Sequence, residues 1–335
     1  MNRFRLGRGA FLRAPAQAVL WVCLLNGVNG VNGVVAAQAG PPENVCVEPA
    51  PACELLRIEE LEEAAAAPQS VRASLGNFRE TRPQRLYLDV FSGPLYSTRF
   101  SNGIVDAVAR LHWRPKAGGP VSFYLNGHVT RDSRSRGGSL PMVFSDNVGL
   151  VGAGISVQPQ GWNLTLLAEA NVAFNLTRTA AHSRDTEPDY RVTLYYYRRS
   201  ESRWYGPIGA LTFGQLRGER LFTDYDASLG YYSRYDHNRI AYLQVREGMR
   251  LADWGASRLF GYAKLSMAKD ANRDFFNNVG EVGTGLEWRP HREVNLGLRM
   301  EYLRGYYYGI AGRDPNPYGS RYDDFRVMLL FGRRF

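Results

Sequence analysis

The sequence predicts an all-β chain: an antiparallel transmembrane β-barrel of twelve strands, with fourteen as the alternative, behind a short N-terminal periplasmic helix. Three observations carry this. From residue 85 to the last residue, apolar and polar side chains alternate with period two over stretches of roughly 9–12 residues broken by turn chemistry. The polar side of that alternation is fully charged rather than merely Ser and Thr. The chain closes on a strand ending in phenylalanine, and aromatic residues gather at strand ends.

The N-terminus comes first. Arg3, Arg5, Arg8 and Arg13 precede an apolar stretch, 14–35, that ends in Ala37-Gln38-Ala39. A basic region, an apolar region and a small-x-small site define a secretory signal peptide, with cleavage expected after Ala39. The 335-residue chain carries +9, and losing the four arginines of an acid-free leader leaves +5. Such a charge is compatible with nucleic acid, but an exported protein rarely meets any, so no nucleic-acid partner is expected. Asn26-Gly27, Asn29-Gly30 and Asn32-Gly33 interrupt the apolar region and argue against its persistence as an anchor. Trp21 and Val22 before Cys23 make a poor lipoprotein box.

Residues 40–84 read as a periplasmic segment. Cys46 and Cys53 lie in a Pro-rich stretch where, after export, they suit a loop disulfide. A metal site is disfavoured, because no His lies near and the spacing is not C-x-x-C. Residues 54–67 form a short acidic helix with Leu55, Ile58 and Leu61 on one side, and 68–84 are a linker. The mean hydropathy of −0.33 excludes a multi-span helical membrane protein. Ordinary charge density and 13% aromatic residues exclude disorder.

The barrel occupies 85–335. In 105–113, Val105, Ala107, Ala109, Leu111 and Trp113 oppose Asp106, Val108, Arg110 and His112. In 121–130, Val121, Phe123, Leu125 and Val129 oppose Ser122, Tyr124, Asn126, His128 and Thr130. The runs 164–174 and 294–302 repeat the pattern, with Glu169 on one polar face and Arg299 and Glu301 on the other. A soluble sandwich would also alternate. Three features favour a barrel: strands long enough to span a ~25 Å apolar band when tilted, aromatic girdles, and the terminal strand. The girdle candidates are Trp113, Trp162, Trp204, Trp254 and Trp288 with the tyrosine runs 195–197, 231–232 and 306–308. The last strand places Phe325, Val327, Leu329, Phe331 and Phe335 on one face, which resembles the terminal signature of bacterial outer-membrane barrels, with Phe331 and Phe335 as the residues their assembly machinery would read. Arg333 departs from it.

Strand candidates fall at 85–91, 103–114, 120–131, 147–157, 162–174, 190–199, 207–216, 224–235, 238–249, 258–268, 279–288, 293–304 and 321–335. That is one too many for the even number such barrels require. Short turns at 115–119, 158–161 and 289–292 are all periplasmic by parity, and the counts from the two ends disagree only within 190–250. The miscount lies there. The longer connections 131–146, 175–189, 269–278 and 305–320 are then extracellular.

Catalytic chemistry has little to stand on. Barrel lipid hydrolases need a Ser-His pair with an acid or Asn. His112 and His128 lie on polar faces without an enzyme motif around them, His237 reads as a turn residue, and His182 and His291 sit in connections. No enzyme, cofactor or metal is expected. The two Asn-x-Thr sequences at Asn163 and Asn175 are incidental in a bacterial barrel. The lumen is what remains: Asp106, Arg110, Tyr124, Glu169, Arg191, Arg246, Glu281, Glu287, Arg299, Glu301 and Arg326 line a candidate solute path. The same charges suit cross-strand ion pairs equally well. Tyr124, Tyr195, Tyr197 and Tyr232 are placed to stack on sugar rings. Only Lys116, Lys264 and Lys269 of the 41 basic residues are lysines. Bidentate arginine contact with lipopolysaccharide phosphates would explain the bias, as would a GC-rich genome.

The run 147–156 (NVGLVGAGIS), followed by 166–177 (LLAEANVAFNLT) and 281–290 (EVGTGLEWRP) before Met300-Glu301-Tyr302, resembles the carboxy-terminal barrel of the bacteriophage adsorption protein A family. More distantly it is similar to the barrels of exopolysaccharide exporters. The resemblance covers roughly 85–335 and rests on Gly, Ala and Glu spacing in strands. It implies surface exposure and a link to polysaccharide or phage adsorption, and it transfers no catalytic residue. Those families carry long helical arms that this chain lacks, so a separate periplasmic protein would supply that function. The expected protein is an outer-membrane barrel of a Gram-negative bacterium that assists export or surface presentation of a polysaccharide. Its expected partners are outer-membrane lipid and lipopolysaccharide, the barrel-assembly machinery, the polysaccharide and periplasmic export proteins. The alternative is a non-conducting surface barrel serving as phage receptor, adhesin or structural protein.

Overall fold

A computed structural model describes residues 84–99, 101–134, 147–159, 161–177, 183–204, 217–273, 277–291, 295–308 and 319–335. The leader, Cys46 and Cys53, the helix expected at 54–67, His182 and the strand expected at 207–216 lie outside the described residues. The strands are β1 (Leu86–Ser92), β2 (Leu95–Ser97), β3 (Asn102–Trp113), β4 (Val121–Asp132), β5 (Val148–Val157), β6 (Leu164–Asn175) and β7 (Thr186–Arg203). They continue with β8 (Arg217–Tyr232), β9 (Asn238–Trp254), β10 (Ser257–Asp270), β11 (Val279–Arg289), β12 (Asn295–Tyr307) and β13 (Arg321–Arg334).

All pairings are antiparallel; from β2 to β13 each strand pairs with its sequence neighbour, β1 pairs with β3, and β13 returns to β1 and β2, so the sheet closes without an edge. Strands β1 and β2 share one place in the wall. Ser92 faces Ala107 and Phe331, while Leu95 faces Ile104 and Met328. The wall therefore has twelve positions. The interruption falls at Gly93-Pro94, where proline offers no N–H to the ladder. Its neighbours carry the ladder across: Gly93 N donates to the Asp106 carbonyl at 2.8 Å, and Leu329 N donates to the Pro94 carbonyl at 2.9 Å.

The two faces have inverted polarity. Charged side chains are buried on the inner face, Arg246 at 0% exposure and Glu301 at 1%. Large apolar side chains stand exposed on the other, Leu125 at 63% and Val151 at 59%. Among the described residues no second sheet covers them, and the one sheet closes on itself, which a sandwich does not do. A continuous apolar exterior is stable only against hydrocarbon. A strand the length of β3, 12 residues, rises about 30 Å at a tilt near 40°, enough to cross a bilayer core.

Ring chemistry differs between the two rims. Trp113, Trp162, Trp254 and Trp288 are exposed at the rim where β1 begins and β13 ends. At the opposite, far rim the exposed rings include Tyr96, Tyr190, Tyr302 and Tyr306, with Phe174 and Phe325 beside them and no tryptophan among the described residues there. Trp204 sits at the terminal rim but donates Nε1–H to the Gly248 carbonyl at 2.8 Å instead of standing free. At the far rim, Asp236 and His237 take positive φ (50° and 57°) in the β8–β9 turn, so His237 is a turn residue.

Candidate functional site

The inner face carries a repeated device. In three rows of the sheet a tyrosine, a glycine on the next strand and a glutamate on the strand beyond lie in direct register. They are Tyr124–Gly154–Glu169, Tyr262–Gly285–Glu301 and Tyr322–Gly305–Glu281. Each tyrosine lies across its glycine and donates its hydroxyl to the glutamate, at 3.0, 2.8 and 2.7 Å respectively. Glycine is required by the close approach: a Cβ would stand 2.6 Å from the Tyr124 ring at Gly154, 2.6 Å from the Tyr262 ring at Gly285 and 2.0 Å from the Tyr322 ring at Gly305.

A cation completes each bridge. Arg110 Nη2 reaches Glu169 at 2.8 Å, Lys264 Nζ reaches Glu301 at 2.8 Å, and Arg326 pairs with Glu281. A guanidinium also lies over each ring: Arg110 over Tyr124 at 5.5 Å, Arg246 over Tyr262 at 5.3 Å and Arg99 over Tyr322 at 3.4 Å. Desolvated arginine over an electron-rich ring is favourable, and it covers the ring face that would otherwise meet a solute.

Between the bridges lies an arginine hub. Glu287 Oε2 accepts from Arg246 at 3.1 Å and Arg299 at 2.9 Å, while Oε1 takes Arg289. Arg246 also donates to Asp224 at 2.8 Å, and Asp224 binds Arg199 at 3.2 Å. Such charges tolerate burial because each is paired and hydrogen-bonded. The far mouth is strapped by amide–carboxylate pins. Asn147 Nδ2 donates to Asp132 at 2.7 Å, Asn238, Asn277 and Asn278 donate to Asp270 at 3.0, 2.9 and 2.8 Å, and Ser97 donates to Asp324 at 2.8 Å.

The residues expected to line the lumen all lie on this inner face, but they meet as partners rather than as a bare lining. Asp106 is held by His128 Nε2 at 2.6 Å, Arg191 turns back on Asp189 at 2.6 Å, and Arg326 also binds Asp324 at 2.6 Å. Tyr232 is buried beneath Arg191, whose guanidinium is 5.5 Å from its ring. Residues that sequence reasoning missed include Lys264, Asp224, Asp189, Tyr262 and Tyr322. So were the glycine seats. Their signal exists only once register is known, because each bridge joins positions two strands apart.

His112 Nδ1 lies 3.0 Å from Ser122 Oγ, and Nε2 lies 3.6 Å from Asp89. Its ring is stacked on Tyr87 at 4.6 Å and flanked by Tyr124 at 4.9 Å, so both faces are taken. Asp89 is itself bound by Arg334 at 2.6 Å. At the C-terminus, Phe335 exchanges backbone hydrogen bonds with Leu88 at 2.9 and 3.0 Å, and the Arg333 guanidinium lies 4.8 Å from its ring. That contact explains the departure at 333: at a rim, arginine covers the aromatic residue while its charge reaches water.

Closed wall, inverted faces and paired lumen together define a transmembrane β-barrel protein. No protein-family model matches the sequence, and no curated protein matches it. Among solved structures the chain is similar to a bacterial polysaccharide outer membrane secretin, with 12% identity over 75% of this chain and 99% of that one and a TM-score of 0.40. It is also similar to an outer membrane channel from Pseudomonas putida F1, with 12% identity, 78% and 98% coverage and a TM-score of 0.39. The β-domain of the Bordetella autotransporter BrkA shows 14% identity, 73% and 98% coverage and a TM-score of 0.34.

Proposed function

We propose that the chain works in the Gram-negative outer membrane, after export and cleavage behind Ala39, as a non-enzymatic barrel that assists export or surface presentation of a polysaccharide. Its lumen is locked at rest. The observation that carries this reading is the bridge: the tyrosines, arginines and carboxylates suited to binding sugar hydroxyls are bound to one another instead. Passage then requires the bridges to exchange their partners for those of the glycan. The resemblance of its strands to adsorption-protein and exopolysaccharide-exporter barrels supports the choice of solute. The far rim is extracellular in this reading, and the assembly machinery reads the terminal strand through Phe331 and Phe335.

Conductance in planar bilayers tests the lock. Wild-type protein is expected to be silent, and the triple variant Tyr124→Ala, Tyr262→Ala, Tyr322→Ala is expected to conduct. A steady ohmic pore in the wild type would remove the lock. Deletion of the chain is expected to lower surface or secreted glycan. Unchanged glycan beside a silent barrel would leave the second reading, a non-conducting phage receptor or adhesin. The extensive pairing of lumen charges with one another is the observation that favours it.

A further inference from the structure

The outward face is apolar over most of its height, yet at the far rim it carries Arg239 on β9, Lys269 on β10, Arg304 on β12 and Arg321 on β13, all exposed. On these strands the outward acid at that level is Asp323, which binds Arg304 at 3.1 Å. Register sets Arg304 beside Val282 and Asp323, and the next row upward sets Tyr306 beside Arg321. The Arg321 guanidinium lies 5.5 Å from the Tyr306 ring. Exposed Tyr302 and Tyr306 mark the depth as that of lipid headgroups, where tyrosine places its ring in the acyl layer and its hydroxyl in water.

Arginine facing hydrocarbon is costly at mid-membrane but costs little near the interface, so this cluster sits at the depth where anionic headgroups are met. We infer that the outer face of β9–β13 at the far rim binds the phosphate groups of an outer-leaflet lipid headgroup, such as those of lipid A. Arginine suits this partner because its fork meets two phosphate oxygens at once. Arg304 and Arg321 sit two strand positions apart on adjacent strands, with Lys269 and Arg239 continuing the strip around the wall. The partner is thus bound by the wall itself. This inference rests on the far rim being extracellular.

The test uses the full mature barrel in mild detergent, titrated with bisphosphorylated lipid A and with the same lipid after phosphatase treatment, bound lipid being counted by native mass spectrometry. Wild type is expected to retain the phosphorylated form about tenfold better, as charge-assisted bidentate bonds would give. The variant Arg304→Gln, Arg321→Gln is expected to lose that preference, and Arg304→Lys, Arg321→Lys to recover part of it. Heat-modifiable mobility should be the same in all three, which separates binding from misfolding. Equal retention of the two lipids by wild type, or a preference that survives in the glutamine variant, overturns the inference. So does displacement of the lipid by millimolar inorganic phosphate, which would indicate a free-anion site. Fractionation is scored separately: a barrel found away from outer-membrane markers sinks the location, while the titration still decides the site.

Discussion

Replacing Glu287 by alanine is expected to destabilise the barrel by about 3–5 kcal/mol, the usual cost of stripping one partner from a buried ion network. Glu287 is buried and holds Arg246, Arg299 and Arg289. Without it, three guanidiniums converge on a space where the other carboxylate bound to the hub, Asp224, already serves Arg246 and Arg199. Repulsion and lost desolvation compensation then act together. For a domain of this size the unfolding midpoint should fall by roughly 10 °C, read as loss of heat-modifiable mobility in detergent. The outward pair Arg304–Asp323 is the control, because Arg304→Gln should leave the midpoint where it was. A Glu287→Ala midpoint equal to wild type would mean that the hub is wet and weakly coupled.

The second large effect comes from the opposite face. Leu125 lies mid-strand on β4, 63% exposed, between the inward Tyr124 and Asn126. Its register partners, Leu111 and Ala153, extend the same apolar belt. In a soluble protein an exposed Leu→Arg change is worth within about 0.5 kcal/mol either way. Facing the middle of a bilayer it costs about 2–4 kcal/mol. Reversible urea unfolding of Leu125→Arg from lipid vesicles should show that loss, whereas a neutral outcome would place water against the belt.

Alternation is a local property, so the sequence alone carried the faces of β3, β4, β6, β12 and β13 and the charges that line the lumen. Strand number was harder for a physical reason. Strands β7 and β8 run 18 and 16 residues, well past the membrane belt, and their ends lose the apolar side of the pattern. Parity narrowed what periodicity could not: it placed the surplus within 190–250, where β7 pairs directly with β8. The short β2 was missed because Gly93-Pro94 ends the alternation of β1 although the wall continues beyond it. The bridges lay deeper still. Tyr124 and Glu169 are far apart in sequence, and nothing local says that Gly154 lies between them. Only closure with a fixed register makes that glycine a seat and its neighbours a pair.

The most direct test is a nitroxide scan over 121–130, one label per position, with the barrel in lipid vesicles. Labels at Phe123, Leu125 and Val129 should collide with oxygen from the bilayer and be shielded from a water-soluble nickel chelate. Labels at Tyr124, Asn126 and His128 should be shielded from both and nearly immobile, giving a period-two profile in phase with the inverted faces. Chelate access at Leu125 and Val129 would contradict a lipid-facing exterior, and mobile, chelate-accessible labels at Tyr124 and Asn126 would contradict a lumen closed by its own side chains.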